Sequence, residues 1–355
     1  MELRKFIDIL DKHGFLKRVK RSVDWKYEIG EIARNEKGTP LLFENIRDYP
    51  GFRLFTGGMA SLPFIALALG MEPGISRGGF IRELKRRSKS TLRPEISEFT
   101  GDYKSWSGGK VNLFDLPVPW WSREDGGRYI GTWHINVSKD PVTGFSNAGV
   151  YRMQIVGRNQ TTVSVSPRSH FALHIAEAES RGEDLALAVA IGIPEAVVLA
   201  AAAGVPYGND EFMLAGGFTG EPLKLARCGS VDLEVPADSE IVLEGFVKRG
   251  VRVQDGPFLD YAGIPSVNRN AYLFEVKRVC IREGAFFRGM SVGAAGAEDH
   301  QIFSVLSSLG MTDFHGSALR QLVQNFLLKS RLFTLFQYSG RAGKLFRDKS
   351  SLKHS

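Results

Sequence analysis

The sequence predicts a mixed α/β (α+β) fold in three parts, and three observations predict it. Helical and strand patterns alternate over the first 110 residues, strand-like runs dominate from there to about residue 310, and apolar residues at helical spacing follow to the end. The expected organisation is an N-terminal mixed α/β domain over 1–110, a β-rich, barrel-like domain over 111–310 and a short C-terminal helical segment over 311–355.

In the first part, Leu3, Phe6, Ile7 and Leu10 stand at the spacing of an amphipathic helix, which distinguishes the N-terminus from a signal peptide. The patterns Leu3–Leu16, Tyr27–Asn35, Ser61–Leu69 and Phe80–Arg87 read as helices, with short strands at Leu41–Ile46 and Phe52–Thr56. Leu116-Pro-Val-Pro-Trp-Trp121 marks a boundary, and its two tryptophans read as a packed core corner.

Beyond that boundary, Tyr129–Ser138 is rich in β-branched and aromatic residues, Lys139–Gly144 supplies a turn, and Gly149–Val156 alternates, so the three read as a hairpin. Thr161–Val165 is a third strand, and Pro167 stands ahead of a helix beginning near Arg168. The run Leu185–Val205 matches a bilayer in length, but Pro194 and Glu195 divide it into a buried strand, Leu185–Ile191, and a helix opened by the proline and the acid. No membrane crossing is expected. Glu240–Val247, Ala271–Ile281 and Ala285–Met290 are further strands, and Leu319, Leu322, Val323, Phe326, Leu327 and Phe333 lie at helical spacing before a basic tail.

A chain of 355 residues with 43% hydrophobic and 24% charged residues has ample material for two or three cores. The net charge of +7 is concentrated in Arg82–Lys89 and Lys344–Lys353, runs without interleaved aromatics, so nucleic-acid binding is not expected and an anionic small molecule is the better use of the charge. Cys228 and Cys280 are too few for a disulfide framework or a zinc cluster, which points to a reducing, cytoplasmic setting.

The residues that carry chemistry gather in Asn147-Ala-Gly-Val-Tyr-Arg152, followed by His170 and Glu211. On the hairpin reading Asn147 lies at a strand entrance, Arg152 on the strand facing the same way as Val150, and His170 at a helix start. Each has an ordinary reading as well: a turn asparagine, a capping or core histidine, a helix-capping acid, a salt-bridged arginine. His174 makes an i, i+4 pair with His170, yet no third zinc ligand follows at zinc spacing, and His134 reads as structural.

Taken in order, Asn147-x4-Arg152, Ser169-His170, Asn209-Asp-Glu211, the Gly-rich Ala215–Pro222, Ser239–Gly245 and Asp255-Gly-Pro-Phe-Leu-Asp260 resemble the UbiD family of prenylated-FMN-dependent decarboxylases, over residues 1 to about 300. The resemblance implies a split-β-barrel that binds prenylated FMN. It implies that Asn147, His170 and Glu211 ligate a divalent metal, usually Mn2+, bridging to the flavin phosphate, a donor set that suits a hard or borderline ion. It also implies K+ held by carbonyls near Ala200, Ala201 and Ala203, and cofactor contacts at Thr132, Ala148, Gly149, Val150, Tyr151 and Ser169.

The same resemblance gives Arg152 the substrate carboxylate, Asp260 the proton that replaces carbon dioxide, and Asp255 the orientation of Arg152. The family has glutamate at Asp255, so the shorter acid is expected to need a water bridge or a backbone shift to reach Arg152. Family members continue into a further α/β domain, and this sequence stops at Ser355, so most of that domain is expected to be truncated or absent. The implied activity is reversible, non-oxidative decarboxylation of an α,β-unsaturated or aromatic carboxylic acid, in a homo-oligomer supplied by a flavin prenyltransferase. Two alternatives are a noncatalytic subunit of a larger carboxylase complex and a generic FMN-binding barrel protein.

Overall fold

The computed structural model describes residues 1–36, 38–293 and 297–312. Its first elements are α1 (Leu3–Lys12), β1 (Lys17–Val19), α2 (Glu28–Asn35), β2 (Leu41–Phe43), β3 (Arg53–Thr56), α3 (Leu62–Ala68), α4 (Arg77–Arg87), β4 (Glu95–Ile96) and β5 (Tyr103–Ser107). Helix α1 buries Leu3, Phe6, Ile7 and Leu10, the stripe that its spacing predicts. The chain continues through β6 (Tyr129–Gly131), β7 (His134–Lys139), β8 (Ser146–Gly149), β9 (Met153–Gly157), β10 (Gln160–Val163), α5 (His170–Ser180), β11 (Leu185–Ile191), α6 (Glu195–Ala201) and α7 (Glu211–Thr219). The last described elements are β12 (Lys224–Arg227), β13 (Glu234–Pro236), β14 (Ile241–Leu259), β15 (Pro265–Arg282), β16 (Phe286–Arg288) and α8 (Glu298–Leu309).

Among the described residues, nine strands form one curled antiparallel sheet in the order β6-β9-β10-β15-β14-β11-β7-β8, with β5 also paired to β15. A four-stranded sheet, β1-β2-β3-β16, and a three-stranded one, β13-β12-β4, accompany it. Because β16 runs parallel to β3 and β5 pairs with Arg278–Arg282, distant stretches of sequence share sheets, and residues 1–312 form one compact unit.

The large sheet has two buried faces. On β11, Leu187, Val189 and Ile191 join the core containing Phe171, Ile175 and Phe274, whereas Ala188 and Ala190 join the core that holds α6. Small residues on that face let the alanine-rich helix approach closely, and the near-continuous apolar run of β11 reflects burial on both faces. No helix among the described residues is long and apolar enough to cross a membrane.

Three local expectations are corrected. Tyr129–Ser138 breaks between β6 and β7 at Thr132-Trp133, so the hairpin is β7–β8, and Asn147 lies within β8 opposite Ser138. Arg152 sits in the gap between β8 and β9, not on a strand: the preceding N–H, that of Tyr151, donates to the Asn136 Oδ1 side-chain acceptor at 3.2 Å. β14 and β15 extend to 19 and 18 residues, because their distal, more polar halves pair with each other. The predicted helices over Leu319–Phe333 lie outside the described residues.

Candidate functional site

Two helix starts and a short strand bring Asn147, His170 and Glu211 together. Ser169 caps α5 by accepting from the Ala172 N–H at 3.2 Å, which makes His170 the first helical residue. Asp210 caps α7, accepting from Phe212 N–H at 2.7 Å and Met213 N–H at 3.4 Å, and Glu211 follows at that helix's start. Glu211 is buried, and its Oε2 accepts the Ala148 N–H at 3.1 Å while its Oε1 stands 3.9 Å from His170 Nδ1. Burial pushes the Glu211 carboxyl up to about 7, against the pull of the Ala148 N–H.

Asn147 is buried too, and its amide nitrogen meets no hydrogen-bond partner. A costly buried carboxylate facing an imidazole is a place where a cation would relieve the burial, and the orphaned Asn147 N–H calls for an acceptor, leaving its amide oxygen as the group that an ion could use. The 3.9 Å separation is too long for a hydrogen bond and within the span, up to about 4.2 Å, that one ion with bonds of about 2.1 Å can bridge. No three His, Cys, Asp or Glu side chains cluster as a metal site among the described residues; in this set an amide takes the third place. The residues present therefore fit a hard or borderline divalent ion with outside oxygens completing its shell.

The other predicted cofactor and ion positions lie in the gap between β6 and β7, on and just after β8, and at the end of α6. A Cβ at Gly149 would fall 2.6 Å from the Tyr151 ring, so only glycine lets that ring, 5.2 Å from Phe171, cover β8. Val150 is half-buried, and buried Thr132 accepts the Met290 N–H on Oγ1 at 3.0 Å. At the end of α6, the Ala200 carbonyl accepts from Ala203 N–H at 3.0 Å and the Ala203 carbonyl from Val205 N–H at 2.9 Å. Each carbonyl keeps a second lone pair.

The second cluster is built around Arg152. Its Nε donates to Asp255 Oδ1 at 2.6 Å, Nη1 to Ser266 Oγ at 2.7 Å and Nη2 to the Ser266 carbonyl at 3.5 Å, while its guanidinium carbon stands 5.1 Å from the Phe258 ring centroid. Asp255 is fully buried, and its other oxygen accepts from Thr162 Oγ1 at 2.5 Å. Burial raises the Asp255 carboxyl above the ordinary range, and Arg152 opposes that rise. The shorter acid thus reaches Arg152 directly, with no water bridge: the β14–β15 register shifts on both sides of Asp255, and these irregularities re-aim its side chain.

Asp260 is not part of that cluster. Its Oδ1 accepts from Ala262 N–H at 2.9 Å and Ile264 N–H at 3.2 Å, so it organises the turn from β14 to β15. Thr162 and Ser266 were not singled out in the sequence, where an isolated Thr on a strand and a Ser after a proline carry no signal. Trp121 is the buried core corner expected, with its Nε1 on the Tyr129 carbonyl at 3.3 Å, while Trp120 is only half-buried. His134 and His174 are buried and held down to about 4 by desolvation.

A family model described as the Rift-related domain of 3-octaprenyl-4-hydroxybenzoate carboxy-lyase matches residues 96–295, and one for the N-terminal domain of the same carboxy-lyase matches residues 7–77. The chain belongs to the UbiD family. Anhydromevalonate phosphate decarboxylase of Methanothermobacter thermautotrophicus is 30% identical over 289 residues, 81% of this chain and 65% of that protein. Phenolic acid decarboxylase of Bacillus subtilis is 30% identical over 303 residues, 82% of this chain and 64% of that protein. The evolved dimeric form of the UbiD-class enzyme HmfF from Pelotomaculum thermopropionicum, solved in complex with prFMN, matches with a TM-score of 0.79 and 27% identity over 87% of this chain and 70% of that one. The chain spans just under two thirds of the length of the two sequence relatives.

Proposed function

We propose that this chain carries the cofactor and substrate site of a UbiD-type carboxy-lyase, a reversible, non-oxidative decarboxylase of an α,β-unsaturated or aromatic carboxylic acid. The observation that supports it best is the fixed Thr162–Asp255–Arg152–Ser266 chain. Three of the guanidinium's five N–H groups are engaged, and one on Nη1 and one on Nη2 remain to donate to a carboxylate. Arg152 binds that carboxylate, and Asp255 with Ser266 holds the guanidinium plane while the substrate enters.

Prenylated FMN, when bound, supplies the electron sink for the pair left as the bond to carbon dioxide breaks. Asp260, whose Oδ2 its turn leaves open, would deliver the proton that replaces carbon dioxide at the carbon that lost it. Asn147, His170 and Glu211 would hold the divalent ion, with Mn2+ the first choice, and the carbonyls of Ala200, Ala201 and Ala203 would hold K+. Thr132, Ala148, Gly149, Val150, Tyr151 and Ser169 would line the flavin. Residues 111–310 are then the cofactor-binding split barrel. The cofactor comes from a flavin prenyltransferase, and the enzyme works in the cytoplasm as a homo-oligomer.

Arg152→Ala tests the reading. Turnover of the substrate acid is expected to vanish while the purified variant retains its flavin absorbance; unchanged turnover refutes the role of Arg152.

A further inference from the structure

We propose that Tyr207 is a positioning residue that holds the three candidate metal ligands in a single arrangement; the proposal rests on the metal reading above. The ligands come from three separate elements: Asn147 from β8, His170 from the start of α5 and Glu211 from the start of α7. Tyr207 touches His170 directly, reaches Asn147 through the turn of its hairpin and stands four residues before Glu211.

Its hydroxyl donates to Asp140 Oδ2. Asp140 Oδ1 in turn accepts from Val142 N–H at 2.8 Å and Thr143 N–H at 3.0 Å, which fixes the turn joining β7 to β8, the hairpin that carries Asn147. The Tyr207 ring stands edge-on to His170, with centroids 5.1 Å apart and planes at 85°, and to His174 one helical turn further on, at 6.0 Å and 80°. Phe145, in the same hairpin turn, packs on the ring at 5.5 Å. Glu211 lies four residues downstream, immediately after the Asp210 cap, so a short segment joins Tyr207 to the start of α7.

Burial does not account for this arrangement, since Tyr207 is 42% exposed. The edge-on contact fixes the imidazole plane, and with it the nitrogen that faces Glu211 at 3.9 Å. Outer partners that orient ligands in this way set metal affinity without touching the ion.

The test is a titration of Mn2+ into the metal-free full chain, followed by the paramagnetic resonance signal of the free ion, with thermal unfolding of each metal-free protein in parallel. Tyr207→Ala is expected to weaken Mn2+ binding about 10- to 100-fold. Tyr207→Phe, which keeps the ring and loses the bond to Asp140, falls between it and the wild type. Because the side chain is half-open, the metal-free melting midpoints stay within about 2 °C of one another. The proposal is overturned if Tyr207→Ala binds Mn2+ as the wild type does, or if its loss of affinity comes with a fall of more than about 5 °C in the metal-free midpoint, which assigns the tyrosine to stability alone. A wild-type chain that takes up no Mn2+ overturns the metal reading itself, and the proposal with it.

Discussion

Removing Arg152 strands a fully buried acid, and the size of the penalty depends on pH in a way that the geometry fixes. Asp255 has no exposed side-chain surface, and in Arg152→Ala the donors left to it are the Thr162 and Tyr129 hydroxyls. The ion pair is close, at 2.6 Å between Nε and Oδ1; with charge centres about 4 Å apart and an effective dielectric of about 20, the lost attraction is about 4 kcal/mol. Breaking a buried pair from one side costs about 3–5 kcal/mol by the same logic.

Protonation offers Asp255 an escape. Relative to an unfolded carboxyl near 3.9, holding the proton costs about 4 kcal/mol at pH 7 but only about 1.5 kcal/mol at pH 5. A carboxyl raised in the folded state costs stability as pH rises above its unfolded value, so the penalty grows with pH. Urea denaturation should therefore show Arg152→Ala destabilised by about 3–4 kcal/mol at pH 7 and by about 1.5 kcal/mol at pH 5, with the double variant Arg152→Ala/Asp255→Ala recovering part of the loss at pH 7. A penalty below about 1 kcal/mol at pH 7, or one indifferent to pH, would refute the buried pairing.

Thr162→Val keeps the shape of the side chain and leaves Asp255 Oδ2 without its donor; a loss of about 1–3 kcal/mol in denaturation is expected, with Thr162→Ser close to wild type. His134 is buried and neutral with its titration pushed down to about 4, so its contribution is complete above its ordinary value near 6.5 and is lost as pH falls from there toward 4. Stability should drop by about 3 kcal/mol over that window through His134, and His134→Leu should flatten the pH dependence by that amount. Arg288 is fully buried between Glu195, at 2.9 Å, and Glu298, whose carboxylate also accepts the Gly57 and Met59 N–H groups. Arg288→Met should lower stability by at least about 3–5 kcal/mol, read as a lower melting midpoint or a loss of soluble protein.

Local signals were legible where a segment's own pattern decides its structure. The apolar stripe of α1 and the Pro194-Glu195 opening of α6 are such segments, because periodicity and end chemistry act within a few residues. Arg152 was misplaced because the alternation from Gly149 continues through it in sequence, whereas the side-chain acceptor of Asn136, 15 residues from Tyr151, interrupts the strand. The distal halves of β14 and β15 were missed for a related reason: they are held by pairing with each other and bury little.

The candidate site divides in the same way. Asn147, His170, Glu211, Arg152 and Asp255 stand in motifs that can be read along the chain. The bonds of Thr162 to Asp255, Ser266 to Arg152 and Tyr207 to Asp140 join residues 93, 114 and 67 positions apart, and single polar residues at such separations leave no pattern in the sequence. The contact expected to need a water bridge or a backbone shift, Asp255 to Arg152, is direct, and the strand irregularities around Asp255, which no propensity announces, match the second of these.

The central claim is that this chain binds prenylated FMN and uses it to exchange a carboxyl group. Co-expression with a flavin prenyltransferase, then an absorbance spectrum of the purified chain and a carbon dioxide exchange assay over a panel of unsaturated and aromatic acids, tests it most directly. The account predicts flavin that copurifies with the chain and isotope exchange into at least one acid, lost in Arg152→Ala. A chain that folds, carries no flavin and exchanges no carbon dioxide would contradict it.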